Sequence, residues 1–296
     1  MNGLLPPDFD LAGTLDTISG FMYTYLLVAL LIAVGLFFFL FTRALPLRMF
    51  IEALRVVMEP PKKEGGVSSF RALMVSTASR VGVGNIAGVA TAVTLGGAGS
   101  VFWMWVIATI GGASAFIEST LAQIYKKRGP HHSYGGPAYY IQTALKQNWL
   151  AYLFAVMLIL TYMGGFNLLA SFNVADTFTQ YSWANEWTPW AVGGVLAVLM
   201  AGSILGGTRR LTDVTGFLVP IMAIIYLGVG AVVIVFNYHN IPAMFSAIFS
   251  GAFDFKAIFG GFAGSAMMLG IKRGLYSNED GRGSEPKAGT YTSVSH

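Results

Sequence analysis

The sequence predicts an all-α integral membrane protein with about seven spanning segments, and three observations predict it. Of 296 residues, 55% are hydrophobic and only 11% charged, against about 25% charged in ordinary soluble domains. Apolar stretches of about 20 residues recur along the chain, the length that crosses a hydrocarbon core of about 30 Å. Lys and Arg fall on alternate links between those stretches, as the positive-inside rule describes.

Composition also excludes other classes. The net charge of +4 sits in short clusters between apolar runs, so it reads as a topology signal and no nucleic-acid partner is expected. With no cysteine, disulfides and thiolate metal sites are ruled out. His131, His132, His239 and His296 fall in links, without metal-ligand spacing inside a span. No nucleophile–base constellation, P-loop or HExxH motif is present, so no enzyme is predicted. The N-terminus, MNGLLPPDFDLAGTLD, is acidic and lacks the basic n-region of a cleavable signal peptide.

In chain order, the first span covers Phe21 to Phe41. A basic amphipathic stretch, Leu45 to Met58, leads into the polar link EPPKKEGGVSS. Span two covers Phe70 to Leu95 and is interrupted by glycines; span three covers Val101 to Ile124. The polar loop KKRGPHHSYGGP and a short amphipathic helix, Ala138 to Leu145, follow. Spans four, five and six cover Leu150–Phe172, Ala191–Leu205 and Val214–Phe236. An interfacial segment, Pro242 to Phe255, precedes a seventh segment that begins near Ala257 and turns polar and glycine-rich.

The links decide orientation. Arg43, Arg48, Arg55, Lys62 and Lys63 follow span one, Lys126 to Arg128 and Lys146 follow span three, and Arg209 and Arg210 follow span five. Lys272, Arg273, Arg282 and Lys287 lie at the end, while the alternate links carry no Lys or Arg. This predicts the N-terminus outside and the C-terminus inside. Residues 1–20 form an extracytoplasmic segment and 21–296 a single transmembrane domain. The expected location is the plasma membrane (in a bacterium, the inner membrane), multi-pass, with lipid as a partner. Trp149, Trp183, Trp187 and Trp190 stand where aromatic belts form.

Spans two and seven carry the polar chemistry. In span two, Gly82, Gly84 and Gly88 crowd the middle beside Arg80 and Asn85. Gly84 and Gly88 also form a GxxxG pair, and the glycines alone favour close helix packing. Arg80 tips the reading toward a functional break, because charge within a membrane is costly and broken backbone survives there only in protein or along a cavity. In segment seven, Gly260, Gly261 and Gly264 precede Gly270 and Gly274, with Asn278, Glu279, Gly281 and Gly283 beyond. The alternative there is a loop after a short span. Two interrupted segments of opposite direction are the mark of an inverted-repeat transporter.

VGVGNIAGVA, GSVFWMWVIATIGGASAFIESTLAQIYKKR, GGPAYYIQ, and GGFAG followed by GIKRGLYSNEDGRGS together resemble the alanine or glycine:cation symporter family. The resemblance runs from span one to the chain end. It implies a LeuT-like fold, with a leading span and two inverted five-span repeats. It also implies symport of small neutral amino acids, chiefly alanine and glycine, with Na⁺ as the coupling ion and no other cofactor. On that alignment the chain holds the leading span, the first repeat and the first broken helix of the second. Family members continue past TYTSVSH for about four further spans, so a truncated, non-transporting fragment or subunit is the alternative reading. Val83 stands where a threonine is common, and Ala170 where a glutamine is often found.

The resemblance implies roles by residue. The substrate carboxylate is expected on backbone N–H groups of Gly82, Val83, Gly84, Asn85 and Gly88. Its ammonium is expected on carbonyls freed by a break near Gly270. Carbonyls of Gly82 and Val83 are the expected Na⁺ ligands. Asn167 and Ser171, with Asn173, are expected to add polar contacts or interhelical hydrogen bonds. Apart from the resemblance, a charge within the membrane is tolerated mainly when paired, so Glu118 or Glu279 is expected to pair with Arg80 as a structural or gating ion pair; the alternative is that Glu118 reaches toward the inner surface.

Overall fold

The leading helix starts at Leu11, well before the apolar run begins. The chain is described in a computed structural model over residues 10–58, 68–129, 133–254, 265–278 and 290. Helix α1 (Leu11–Phe21), a π-helical turn (Met22–Leu27) and α2 (Val28–Phe41) form one rod. The early start has a local cause: the Asp10 carboxylate accepts the Gly13 amide at 3.0 Å, capping a helix that the long apolar run already stabilises.

After Phe41 the chain turns sharply. Arg43 and Ala44 both have φ of 55°, a left-handed conformation uncommon for residues with a Cβ. They lead into two short helices, α3 (Leu45–Arg48) and α4 (Phe50–Val57). Span two is α5 (Ser69–Arg80), capped by the Ser68 hydroxyl, followed by α6 (Val83–Gly96). Span three is α7 (Gly99–Ile124).

The polar loop after α7 departs from the all-α expectation. Lys127–Arg128 and Ser133–Tyr134 pair as a two-residue antiparallel ladder. Helix α8 (Pro137–Ala144) follows at the place expected for the amphipathic helix. Span four is continuous through α9 (Asn148–Ile159), a π-helical stretch (Leu160–Phe166) and α10 (Asn167–Thr179). Spans five and six are α11 (Thr188–Ile204) and α12 (Gly207–Phe236). The interfacial segment is α13 (Ile241–Ala252), and the described part of segment seven is α14 (Ala266–Asn278).

Among the described residues, four helices are long and apolar enough to cross a membrane: Gly13–Phe41, Gly99–Ile124, Asn148–Thr179 and Arg210–Phe236. Their outer surfaces are apolar and open; Met163 is 76% exposed and Phe236 82%. Side chains of this kind at this density are covered by lipid and not by water. The chain is a multi-pass membrane protein.

The core lies around α14, which packs on α7 and α6, while α2 packs on α7. Val28, Ile107, Met268, Ile271 and Leu275 form its buried apolar cluster. The Tyr23 hydroxyl donates to the Lys272 carbonyl at 3.1 Å, tying the leading span to α14. At the far end of α7, Gly99 abuts the backbone of Gly251 and Ala252, and Trp103 Nε1 donates to the Ala252 carbonyl at 3.0 Å. Helix α13 is thereby fixed across the start of α7. At the opposite, basic end of α7, buried Thr290 lies against Gly135, beside Ala122 and Lys126.

Helix α5 packs chiefly on α12 and α4. Arg71 Nη1 lies 2.7 Å from Asp213 Oδ1, with both side chains about half exposed. Such a pair contributes at most about 1 kcal/mol. The contact rests more on buried Ala72, Thr212 and Val219.

Candidate functional site

The interruption predicted in span two is present, at the front edge of the glycine cluster. Val81 (φ −86°, ψ 97°) and Gly82 (φ −144°, ψ −168°) are both extended. The Val81 amide still donates to the Thr77 carbonyl at 2.8 Å, and Gly82 O accepts from the Asn85 amide at 3.0 Å. One helix therefore ends and another begins within two residues. Gly84 and Gly88 lie inside α6, so the unwinding is confined to positions 81 and 82.

This geometry creates two helix ends of opposite sign. The last carbonyls of α5 lack intrahelical partners, as do the first amides of α6. They carry partial negative and partial positive charge respectively. No side chain caps α6, so its first amides are not engaged by a capping side chain. A Cβ built on Gly82 meets nothing within 4 Å, and its extended φ suits any residue. The space beside the break is open. Such an arrangement suits a small zwitterion and a cation.

Segment seven is brought alongside. A Cβ at Gly88 would meet Arg273 Cδ at 3.8 Å and Nη1 at 3.9 Å, so the Arg273 side chain lies over α6. Sequence reasoning counted Arg273 only as a topology signal. The Gly270 expectation needs correction. Gly270 is mid-helix in α14, and a Cβ there would meet the Ser100 carbonyl oxygen and Trp103 Cβ, the latter at 2.8 Å. Gly274, one turn on, meets Ile107 Cγ2, and Met104 Cα at 3.3 Å. These glycines bring α14 into backbone contact with α7, and no carbonyls are freed at Gly270. The expected interruption on either side, with Gly260, Gly261, Gly264, Glu279, Gly281 and Gly283, lies outside the described residues.

The other candidates are more dispersed. Arg80 is the last residue of α5, half-buried at the lip of the break. Asn167 Nδ2 donates to Met163 O at 3.4 Å, Ser171 Oγ to Leu168 O at 3.1 Å, and Asn173 Nδ2 to Leu169 O at 2.7 Å. Their polarity is satisfied within their own helix, next to the π-helical stretch that contains Gly164 and Gly165. Helix α10 packs chiefly on α11, whereas α6 packs on α7 and α14. The structure therefore does not gather Asn167 and Ser171 at the break.

Glu118 has a neighbour that sequence reasoning missed. Tyr140, on α8, stands close enough for its charge to act on the phenol. Burial, and then the Glu118 carboxylate, push the Tyr140 pKa up from 10.0 to about 12. One turn before Glu118, the Ser114 hydroxyl is buried and makes no hydrogen bond with the described residues. Helices α7 and α8 touch, but the two acidic groups are 22 positions apart, which no short motif reveals. The raised pKa gives a stability prediction. Folding favours neutral Tyr140, so its contribution is complete below pH 10 and is lost as pH rises toward about 12. Thermal unfolding in nanodiscs should show this alkaline loss, and Tyr140→Phe should make it shallower between pH 10 and 12. An unchanged slope in the variant would remove Tyr140 from the account.

Comparison with known proteins identifies the family. The sodium:alanine symporter family model matches residues 9–296. Amino-acid carrier protein AlsT of Bacillus subtilis is 42% identical, over 94% of this chain and 59% of its own length. Probable sodium/glutamine symporter GlnT of the same organism is 39% identical, over 93% and 57%. Sodium/alanine symporter AgcS of Methanococcus maripaludis is 35% identical, over 97% and 64%. The chain thus spans about three fifths of the length of the curated relatives it matches. Matched along nearly its whole length, the chain belongs to the sodium:alanine symporter family.

Proposed function

We propose that this chain forms part or all of a cation-coupled symporter for a small neutral amino acid, alanine or glycine, with Na⁺ as the coupling ion. The observation that carries the reading is the two-residue extended break at Val81–Gly82, with opposite helix ends facing it. The substrate carboxylate sits on the first amides of α6, those of Val83 and Gly84, beside Asn85, whose own amide is taken by the Gly82 carbonyl, with Gly88 one turn on. Na⁺ sits on backbone carbonyls at the end of α5 and at Gly82 and Val83. The Gly82 carbonyl already accepts one hydrogen bond, which leaves it one lone pair for an ion. The hinge-like break supports alternating access about a LeuT-like core. Arg80 at its lip is the candidate gate, paired with Glu118 or Glu279; a charge swap at positions 80 and 118 that rescues neither single change would reject the first pairing.

The family supports cation coupling, and the relatives' names differ in the amino acid they carry. The charge pattern supports an N-terminus outside the plasma membrane, with Thr290 near the basic end of α7 on the cytoplasmic side. The test is uptake of labelled alanine into proteoliposomes holding the purified chain, under an inward Na⁺ gradient. Uptake abolished by collapsing the gradient is the expected result. Correct insertion with no uptake, for glycine as well as alanine, would favour the non-transporting reading.

A further inference from the structure

Helix α4 carries an apolar surface that its contacts inside the chain leave open. At 100° per residue, Phe50, Leu54, Met58 and Ile51 share an arc about 100° wide. They are between 51% and 81% exposed. The opposite side, with half-buried Glu52 and Val56, turns inward, and α4 packs on α5. Leu47 and Met49 extend the open surface toward α3, at 60% and 47% exposure. Exposed Arg43, Arg48 and Arg55 border it, and the one acid in this stretch, Glu52, bonds Arg55 at 3.1 Å.

Position says what covers this surface. Helix α2 ends a 29-residue apolar span, and the left-handed pair Arg43 and Ala44 follows at once. The chain therefore leaves the span and turns aside within a few residues, at the level of lipid headgroups. An apolar arc bordered by arginines is the pattern of a helix lying in that plane. The excess of arginine over acid matches an anionic surface and not a zwitterionic one.

We infer that α3 and α4 form a foot seated in an anionic phospholipid leaflet, with Phe50, Ile51, Leu54 and Met58 among acyl chains and Arg43, Arg48 and Arg55 on headgroup phosphates. The inference rests on the membrane placement of the leading span and is independent of what the protein carries. It gives the three arginines a role beyond setting orientation.

The chain has no cysteine, so Ile51→Cys provides a single thiol for a bimane label on the full chain in nanodiscs. The discs hold phosphatidylcholine with equal small fractions of nitroxide-bearing lipid, as phosphatidylglycerol in one set and phosphatidylcholine in the other. Both nitroxides quench the label, and the anionic one acts as if enriched about five-fold around the foot. At 1 M salt, where screening acts within about 3 Å, the excess disappears. The R43Q/R48Q/R55Q protein shows equal quenching by both lipids. Removing these arginines also weakens the orientation signal, so the salt comparison with the arginines intact is the deciding one. Equal quenching by both lipids at low salt would overturn the anionic assignment. No quenching by either would show that water or a second copy of the chain covers the arc, and would overturn the foot itself.

Discussion

Gly84→Leu is expected to abolish the proposed alanine binding while the protein still inserts and folds. Gly84 is the second residue of α6, beside the amides proposed to hold the carboxylate. Leucine there places four carbons where the substrate sits. The helix itself does not suffer, because glycine is about 1 kcal/mol worse than good helix formers. The expected result is an alanine affinity at least about 100-fold weaker, about 2.7 kcal/mol, with unchanged expression and thermal midpoint. Normal affinity in this variant would move the carboxylate site away from the start of α6.

The second large effect falls on stability. Gly270→Leu drives a side chain into the Ser100 carbonyl and Trp103 Cβ. Both belong to α7, and neither is the end of a flexible chain. The cost is expected at the top of the usual range for overpacking, about 3 kcal/mol, seen as a lower unfolding midpoint and poor recovery from membranes. A size exchange isolates the cause. Gly274→Ala clashes with Ile107 Cγ2, so Gly274→Ala with Ile107→Ala should recover part of what Gly274→Ala loses. A fully stable Gly270→Leu would mean that α14 does not lie on α7, and would reopen the unwound reading of that glycine.

Those glycines show where sequence reading succeeds and where it stops. Apolar length located the four helices that are long enough to cross a membrane, because the bilayer imposes that length. The break was legible because glycines coincide with a charge, Arg80, inside an apolar run. Yet glycine serves unwinding and close packing alike. Of the GxxxG pairs in the sequence, two bear on the site, Gly84 with Gly88 and Gly270 with Gly274. The first pair follows a break; the second brings α14 against the backbone of α7. Only knowledge of which helix lies opposite separates the two, and that is long-range information. The start of the leading helix was legible in principle from Asp10, three residues before the Gly13 amide it caps. The π-helical stretch at Leu160–Phe166 has a weaker sign, the adjacent Gly164 and Gly165. The approach of Tyr140 to Glu118, and of Arg273 to Gly88, depends on helix packing and leaves no local trace.

The central claim is that the break in span two holds a small amino acid together with Na⁺. Its most direct test is equilibrium binding of labelled alanine to the full chain in nanodiscs, in NaCl and in KCl at equal ionic strength. The account predicts saturable binding in Na⁺ and an affinity at least about ten-fold weaker without it, the coupling expected when each ligand favours the other. Equal affinity in both salts, or no saturable binding of alanine or glycine in either, would contradict it.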